Sequence, residues 1–223
     1  MLDLGIVALG VGPFLYRASE LNLISTMKSS PVLAEPWWWA SVVGISLLYV
    51  LHGFIWHCPQ LFTSICRPTG RHPVDVFAAL EVLGKFWQLA CLAGLLGADG
   101  IAAVGDALMA APMWCYAACA LYVLAGQTLN MAMYAAIGND GVYYGFRLGR
   151  TVPWCSSFPF NVGLRHPQYV GVVLTILGAA IPMLNDVLIR AGLIQAMLAW
   201  ASMYVVMCIM EQLNDNDKSD KKS

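Results

Sequence analysis

The feature that most constrains this chain is where its charges are missing. Five stretches, roughly Trp37 to Trp56, Phe77 to Ala98, Leu108 to Ala136, Tyr169 to Ile189 and Leu193 to Met210, carry hardly any ionised side chains. A helix needs about 20 apolar residues to cross a bilayer. Its internal hydrogen bonds satisfy the backbone where water is absent. Composition points the same way: 59% of the 223 residues are apolar and 11% are charged, against about 25% charged in a soluble domain. The expected fold class is therefore all-α integral membrane, a polytopic helical bundle of about five transmembrane helices. Aromatic residues mark both ends of the first stretch, "WWWASVVGISLLYVLHGFIW", as membrane interfaces favour.

Three regions follow. Residues 1–36 form an apolar N-terminal segment, read as a short span or as an interfacial or re-entrant helix. Asp3 stands where a secretory signal would be basic. Residues 37–210 form the membrane domain. Residues 211–223 are a polar tail, expected to be disordered. Arg67 and Arg71 lie between the first two spans, Arg147, Arg150 and Arg165 between the third and fourth, and Lys218, Lys221 and Lys222 in the tail. Arg190, in the tight connection of an expected hairpin between the last two spans, lies opposite, with Arg17 and Lys28 as minor exceptions. The positive-inside rule places the two Arg-bearing loops and the tail in the cytosol.

Several function classes are disfavoured. Net charge is -1, with no basic block to attract nucleic acid. Seven cysteines without a Cys-x-x-Cys pair read as small buried hydrophobes. His52 and His57 are five apart on a helix, about 140° around its axis, so no metal centre is expected. Glu81 and Lys85 are spaced i,i+4 in the favourable order; such a pair faces a polar cavity or the bundle interior, or lies near the headgroups, which is the cheaper reading near the start of the span. Gln127 and Asn130 share a helix face, as a helix–helix contact or as ligand donors.

The segment between the third and fourth spans holds the chemistry. It is too long for a plain connector and too aromatic for disorder, so an ordered catalytic loop on the cytosolic side is expected. Pro167 suits the first position of the next helix, with His166 at the cap. A helix N-terminus attracts anions, and Arg165 adds a bidentate carboxylate or phosphate contact. Tyr169 and Gly171 follow on the first turn. Glu211 closes the last span, where an acid opposes the helix dipole and needs a positive partner.

The stretch "GQTLNMAMYAAIGNDGVYYGFRLGRTVPWCSSFPFNVGLRHPQYVG" resembles the core of the phospholipid methyltransferase family, the small membrane phosphatidylethanolamine N-methyltransferases. The string Arg165-His166-Pro167-x-Tyr169-x-Gly171 is also similar to isoprenylcysteine carboxyl methyltransferases. The resemblance extends over roughly Trp56 to Glu211. It implies S-adenosylmethionine as methyl donor and a membrane phospholipid as acceptor, in the endoplasmic reticulum membrane. The family's Gly-x-Gly maps onto Leu124-Ala125-Gly126, and its paired acid onto Glu211-Gln212, so one member of each pair is replaced.

With the resemblance, the cofactor-binding candidates are Gly126, Gln127, Asn130, Arg165, His166, Tyr169 and Glu211. A base must take the amine's proton, and Glu211, His166 and Tyr144 are the catalytic candidates. Tyr143, Tyr144 and Trp154 offer aromatic faces to a methylated cation. The alternatives are an isoprenylcysteine carboxyl methyltransferase, whose acceptor is a carboxylate, and a non-enzymatic transporter or scaffold, which would place polar groups along a mid-bilayer path.

Overall fold

The computed structural model describes residues 2–21, 25, 31–153 and 155–220, so Lys28, Trp154, Lys221 and Lys222 lie outside the described residues. The chain is an all-α polytopic membrane bundle. Its helices are α1 (Leu2–Glu20), α2 (Pro36–His57), α3 (Pro59–Cys66), α4 (Pro73–Ala110), α5 (Met113–Val142), α6 (Pro167–Ala180), α7 (Asp186–Arg190) and α8 (Leu193–Asp220). Four described helices are long and apolar enough to cross a membrane: Pro36–His57, Pro73–Ala110, Met113–Val142 and Leu193–Glu211. Val50, Leu83, Phe86, Leu121 and Leu124 point outward and are exposed, as a lipid-facing surface requires.

Prolines set several starts. Pro36, Pro73 and Pro167 each sit in the first turn, where the missing N–H costs nothing. His72 caps α4 by accepting from the Val74 N–H at 3.3 Å.

Two expectations are corrected and one is extended. The second span breaks at Gly97, beside its expected end at Ala98, but helix resumes beyond the break and runs on to Ala110. It bends at Gly97, with φ 66° and ψ −178°, and beyond the bend Ala103 and Ala107 are buried. Asn185 donates to the Ala103 carbonyl at 3.0 Å, so tertiary packing holds as helix what reads locally as a loop. The fourth span is broken rather than continuous. α6 stops at Ala180, a 3-10 turn covers Ile181–Met183 around Pro182, and α7 follows after Asn185, whose side chain caps it. Lastly, the expected disordered tail is helical to Asp220. No Gly or Pro interrupts residues 211–220, and a helix already nucleated extends at little cost.

Gly97 occupies backbone space that is essentially closed to other residues. A Cβ there would meet nothing within 4 Å, so the cost of Gly97→Ala is purely conformational. We expect about 2 kcal/mol of destabilisation, read as a lowered thermal midpoint in detergent. An unchanged midpoint would mean that the bend is not needed.

The bundle closes around two tight crossings. α2 meets α4 where a Cβ on Gly84 would come within 2.4 Å of Leu48. There the Trp87 indole and the Gln88 amide donate to the Gly44 and Ile45 carbonyls at 3.0 and 2.9 Å. α5 meets α6 through Gly126 and Gly171. α1 lies against α6 and buries Phe14 and Ala18. These crossings bring the end of α2, the start of α4, the end of α5, the start of α6 and Glu211 of α8 to one end of the bundle, where the loop 143–166 covers them.

Candidate active site

The loop is pinned by its arginines. The Arg147 guanidinium stacks 3.8 Å from the Trp56 ring and donates to the Trp56 carbonyl at 2.9 Å. Arg150 bridges Asp140 of α5 at 2.7 Å and Asp75 of α4 at 2.9 Å. Both arginines read in the sequence as topology charges. Here they also tie the loop to three helix ends.

Inside this frame Tyr144 takes a positive φ of 56°, an uncommon and costly conformation for a bulky residue. The strain delivers its hydroxyl to the centre of a polar cluster. Tyr144 donates to Glu211 Oε1 at 2.7 Å, and Tyr169 donates to the same oxygen. The two hydroxyls are 3.1 Å apart. His166 Nδ1 lies 3.3 Å from Glu211 Oε2, and its ring stacks parallel on Tyr169. Burial, and then the Glu211 charge, push the Tyr144 hydroxyl well above the usual tyrosine range. It therefore keeps its proton and serves as a donor to Glu211.

The structure thus gathers Tyr144, His166, Tyr169 and Glu211, residues from the loop, both ends of the loop–α6 junction and the last span. His166 occupies the N-cap position of α6, yet its side chain makes no cap hydrogen bond; it turns to Glu211 instead. Arg165 lines the same cavity, of about 240 Å³, with Trp56, Phe146 and Phe160. A larger apolar cavity of about 630 Å³ continues past Phe146 and Phe160 beneath the loop.

Other candidates lie elsewhere. Gly126 is taken up by the helix crossing, since a Cβ on it would sit 2.3 Å from the Gly171 carbonyl oxygen. Gln127 donates to the Thr175 hydroxyl at 3.0 Å, the helix–helix contact that was its first reading. Asn130 faces a second cavity of about 260 Å³, which adjoins the first and shares Val142, Gln168 and Tyr169 with it.

That second cavity holds a partner that sequence reasoning missed, His52. Glu81 is only 7% exposed, which favours the cavity-facing reading of this acid over the headgroup one. Its Oε1 lies 2.5 Å from His52 Nε2, and His52 Nδ1 lies 3.1 Å from the Tyr144 hydroxyl. One hydrogen-bonded chain therefore runs from Glu81 through His52 and Tyr144 to Glu211 and His166. The available signal was an acid and an imidazole inside apolar spans, each a functional candidate by default. Among the described residues no group of three or more His, Cys, Asp or Glu is placed to hold a metal ion.

The chemistry of the first cavity suits S-adenosylmethionine. Glu211 and the surrounding rings match a sulfonium cation, Arg165 and the start of α6 match a carboxylate, and Phe146 and Phe160 offer faces to a flat base.

Residues 114–214 match the phospholipid methyltransferase family. The phosphatidyl-N-methylethanolamine N-methyltransferase of Arabidopsis thaliana is 28% identical over 177 residues, which cover 78% of this chain and 92% of that protein. No solved structure matches the chain. The matched segment takes in α5, the arginine-pinned loop, α6 and Glu211, the elements that build the cluster, so the site lies in the part of the chain that is similar to the phospholipid methyltransferases.

Proposed function

We propose that this protein moves methyl groups from S-adenosylmethionine to the amine of phosphatidylethanolamine or its mono- and dimethyl derivatives, toward phosphatidylcholine. The match of residues 114–214 to the phospholipid methyltransferase family and the similarity to the plant protein support the reaction. The observation that carries the site is Glu211, which collects Tyr144, Tyr169 and His166 beside a cavity lined by Arg165. S-adenosylmethionine supplies an electrophilic methyl whose carbon–sulfur bond breaks as nitrogen attacks. Glu211 holds the sulfonium by charge, while Tyr144, Tyr169 and His166 fix the carboxylate's orientation. Arg165 takes the amino-acid carboxylate. Phe146 and Phe160 flank the base and exclude water, and positioning of donor and acceptor does much of the work.

In this reading residues 37–210 are the methyltransferase unit, with α6 and its broken continuation as a fifth crossing. Residues 1–36 are an accessory segment, and the helix from Glu211 onward leaves the membrane. The loop 143–166 faces the cytosol of an endoplasmic reticulum membrane, supported by the arginines gathered at that end.

The test uses the full chain in lipid nanodiscs with radiolabelled S-adenosylmethionine. Phosphatidylethanolamine and its mono- and dimethyl forms are offered separately, beside a prenylcysteine acceptor. Label in one or more amine lipids is the expected result. Label in prenylcysteine alone would move the protein to carboxyl methylation. Failure of folded protein to bind S-adenosylmethionine would overturn the assignment of Arg165 and Glu211.

A further inference from the structure

We propose that the cavity between α2 and α4 is the subsite for the phosphoethanolamine headgroup, and that Glu81, coupled to His52, removes the amine's proton before methyl transfer. This rests on the function proposed above and adds the acceptor's position to it.

Four observations carry the inference. The cavity adjoins the one beside Glu211 and shares Tyr169 with it, as two substrates that exchange a methyl group require. Glu81 is buried about 12 Å along α4 from its start, at 1.5 Å per residue, and lines this cavity with His52. A carboxylate is expensive to place there unless it meets a cation.

Third, Lys85 stands one turn further along the same helix, its Nζ 4.0 Å from Glu81 Oε2 and 3.2 Å from the Tyr204 hydroxyl. Glu81 and Lys85 present a minus and a plus to the same space. A phosphoethanolamine headgroup presents a plus and a minus, separated by two carbons and an oxygen. Its ammonium meets Glu81 and its phosphate meets Lys85, whose side chain is 48% exposed and marks the cavity mouth. Exposed Val82, Leu83 and Phe86 on the same turns of α4 give the acyl chains an apolar path outside.

Fourth, the walls include five tyrosines: Tyr49, Tyr134, Tyr143, Tyr169 and Tyr204. Tyr49 and Tyr204 meet edge to face, and the Tyr134 and Tyr143 hydroxyls are 2.8 Å apart. Such faces attract the increasingly methylated ammonium.

The proton balance is simple. The ammonium N–H bond breaks, and its proton goes to Glu81 and is shared with His52 across 2.5 Å. The freed nitrogen lone pair then forms the bond to the methyl carbon, and the electron pair of the broken carbon–sulfur bond stays on sulfur. Each transfer thus releases one proton, and Glu81 must lose it before the next.

The test compares wild type, Glu81→Gln and Lys85→Gln as full-length protein in nanodiscs, measuring S-adenosylmethionine binding and methyl transfer to phosphatidylethanolamine. Glu81 is faced by His52 and Tyr49 from α2, Lys85 from its own helix, and Tyr143 and Tyr144 from the loop. Tyr134, Tyr169 and Tyr204 face it from α5, α6 and α8.

For E81Q we expect a loss of about 10²-fold or more in kcat at pH 7, with donor binding within about twofold of wild type. The deficit should shrink as pH rises toward the free amine's range, because solvent then removes the proton. K85Q should raise the lipid KM severalfold and leave kcat nearly unchanged. E81Q with wild-type transfer, or with a deficit constant at all pH, would overturn the inference alone. Loss of donor binding in E81Q would overturn it too, assigning Glu81 to the fold. A wild-type protein that binds the donor yet labels no amine lipid would sink the parent function instead.

Discussion

Glu211→Gln should lower kcat/KM for methyl transfer by about 10²–10³-fold, a loss of the size seen when a preorganised electrostatic contact is removed. Glu211 accepts from Tyr144 and Tyr169 on one oxygen and faces His166 with the other. The amide keeps the size of the side chain but loses its charge. If its nitrogen faces the tyrosines, two buried hydroxyls lose their acceptor. If it faces His166, it opposes an imidazole that can no longer be drawn in by charge. Either way the attraction for a sulfonium is gone. E211Q should therefore weaken S-adenosylmethionine binding and slow transfer together, whereas the acceptor-side variant E81Q slows transfer and spares binding. Equilibrium binding of labelled donor beside single-turnover methylation separates the two. Unchanged donor affinity in E211Q would remove Glu211 from the donor site.

Much of this arrangement was legible because it is local. Pro167 marks a helix start by a rule of backbone chemistry, and the spans follow from long apolar runs. His166 and Glu211 stood out as charges at span ends, and Tyr144 through the loop that carries it. Their meeting around one carboxylate follows from the shared end of the bundle that alternating spans impose.

The His52–Glu81 contact was not legible, because it depends on the register between α2 and α4. That register is set where Leu48 packs against Gly84 and where Trp87 and Gln88 reach α2 carbonyls. Spacing within one helix pairs Glu81 with Lys85 and is silent about the imidazole facing it from the next. The continuation of α4 past Gly97 was hidden for a similar reason. The packing of Ala103 and Ala107 that keeps the segment helical comes from elsewhere in the chain.

Gly126 shows how a motif position and a packing position become confused, and its replacement is the second large effect. The family resemblance assigns Gly126 to cofactor approach. Its surroundings are the backbone of α6, with the Gly171 carbonyl oxygen 2.3 Å and the Thr175 hydroxyl 2.5 Å from where a Cβ would stand. The contact is reciprocal, since a Cβ on Gly171 would fall 2.5 Å from the Gly126 carbonyl oxygen. Small residues at such crossings let helix backbones touch and supply much of the packing energy between membrane helices. The Thr175 hydroxyl can rotate away, but a helix carbonyl cannot. Gly126→Ala must push α5 and α6 apart, and we expect about 3 kcal/mol of destabilisation, the upper part of the range for overpacking. Gly171→Ala should cost a similar amount. The double variant should cost less than the sum, because the first substitution already opens the crossing. Thermal unfolding in detergent reads all three. Because α6 carries Tyr169 and begins at His166, activity should fall with the thermal midpoint. A G126A protein that kept its midpoint and lost only donor affinity would return Gly126 to the cofactor site, and the α5–α6 crossing would need another explanation.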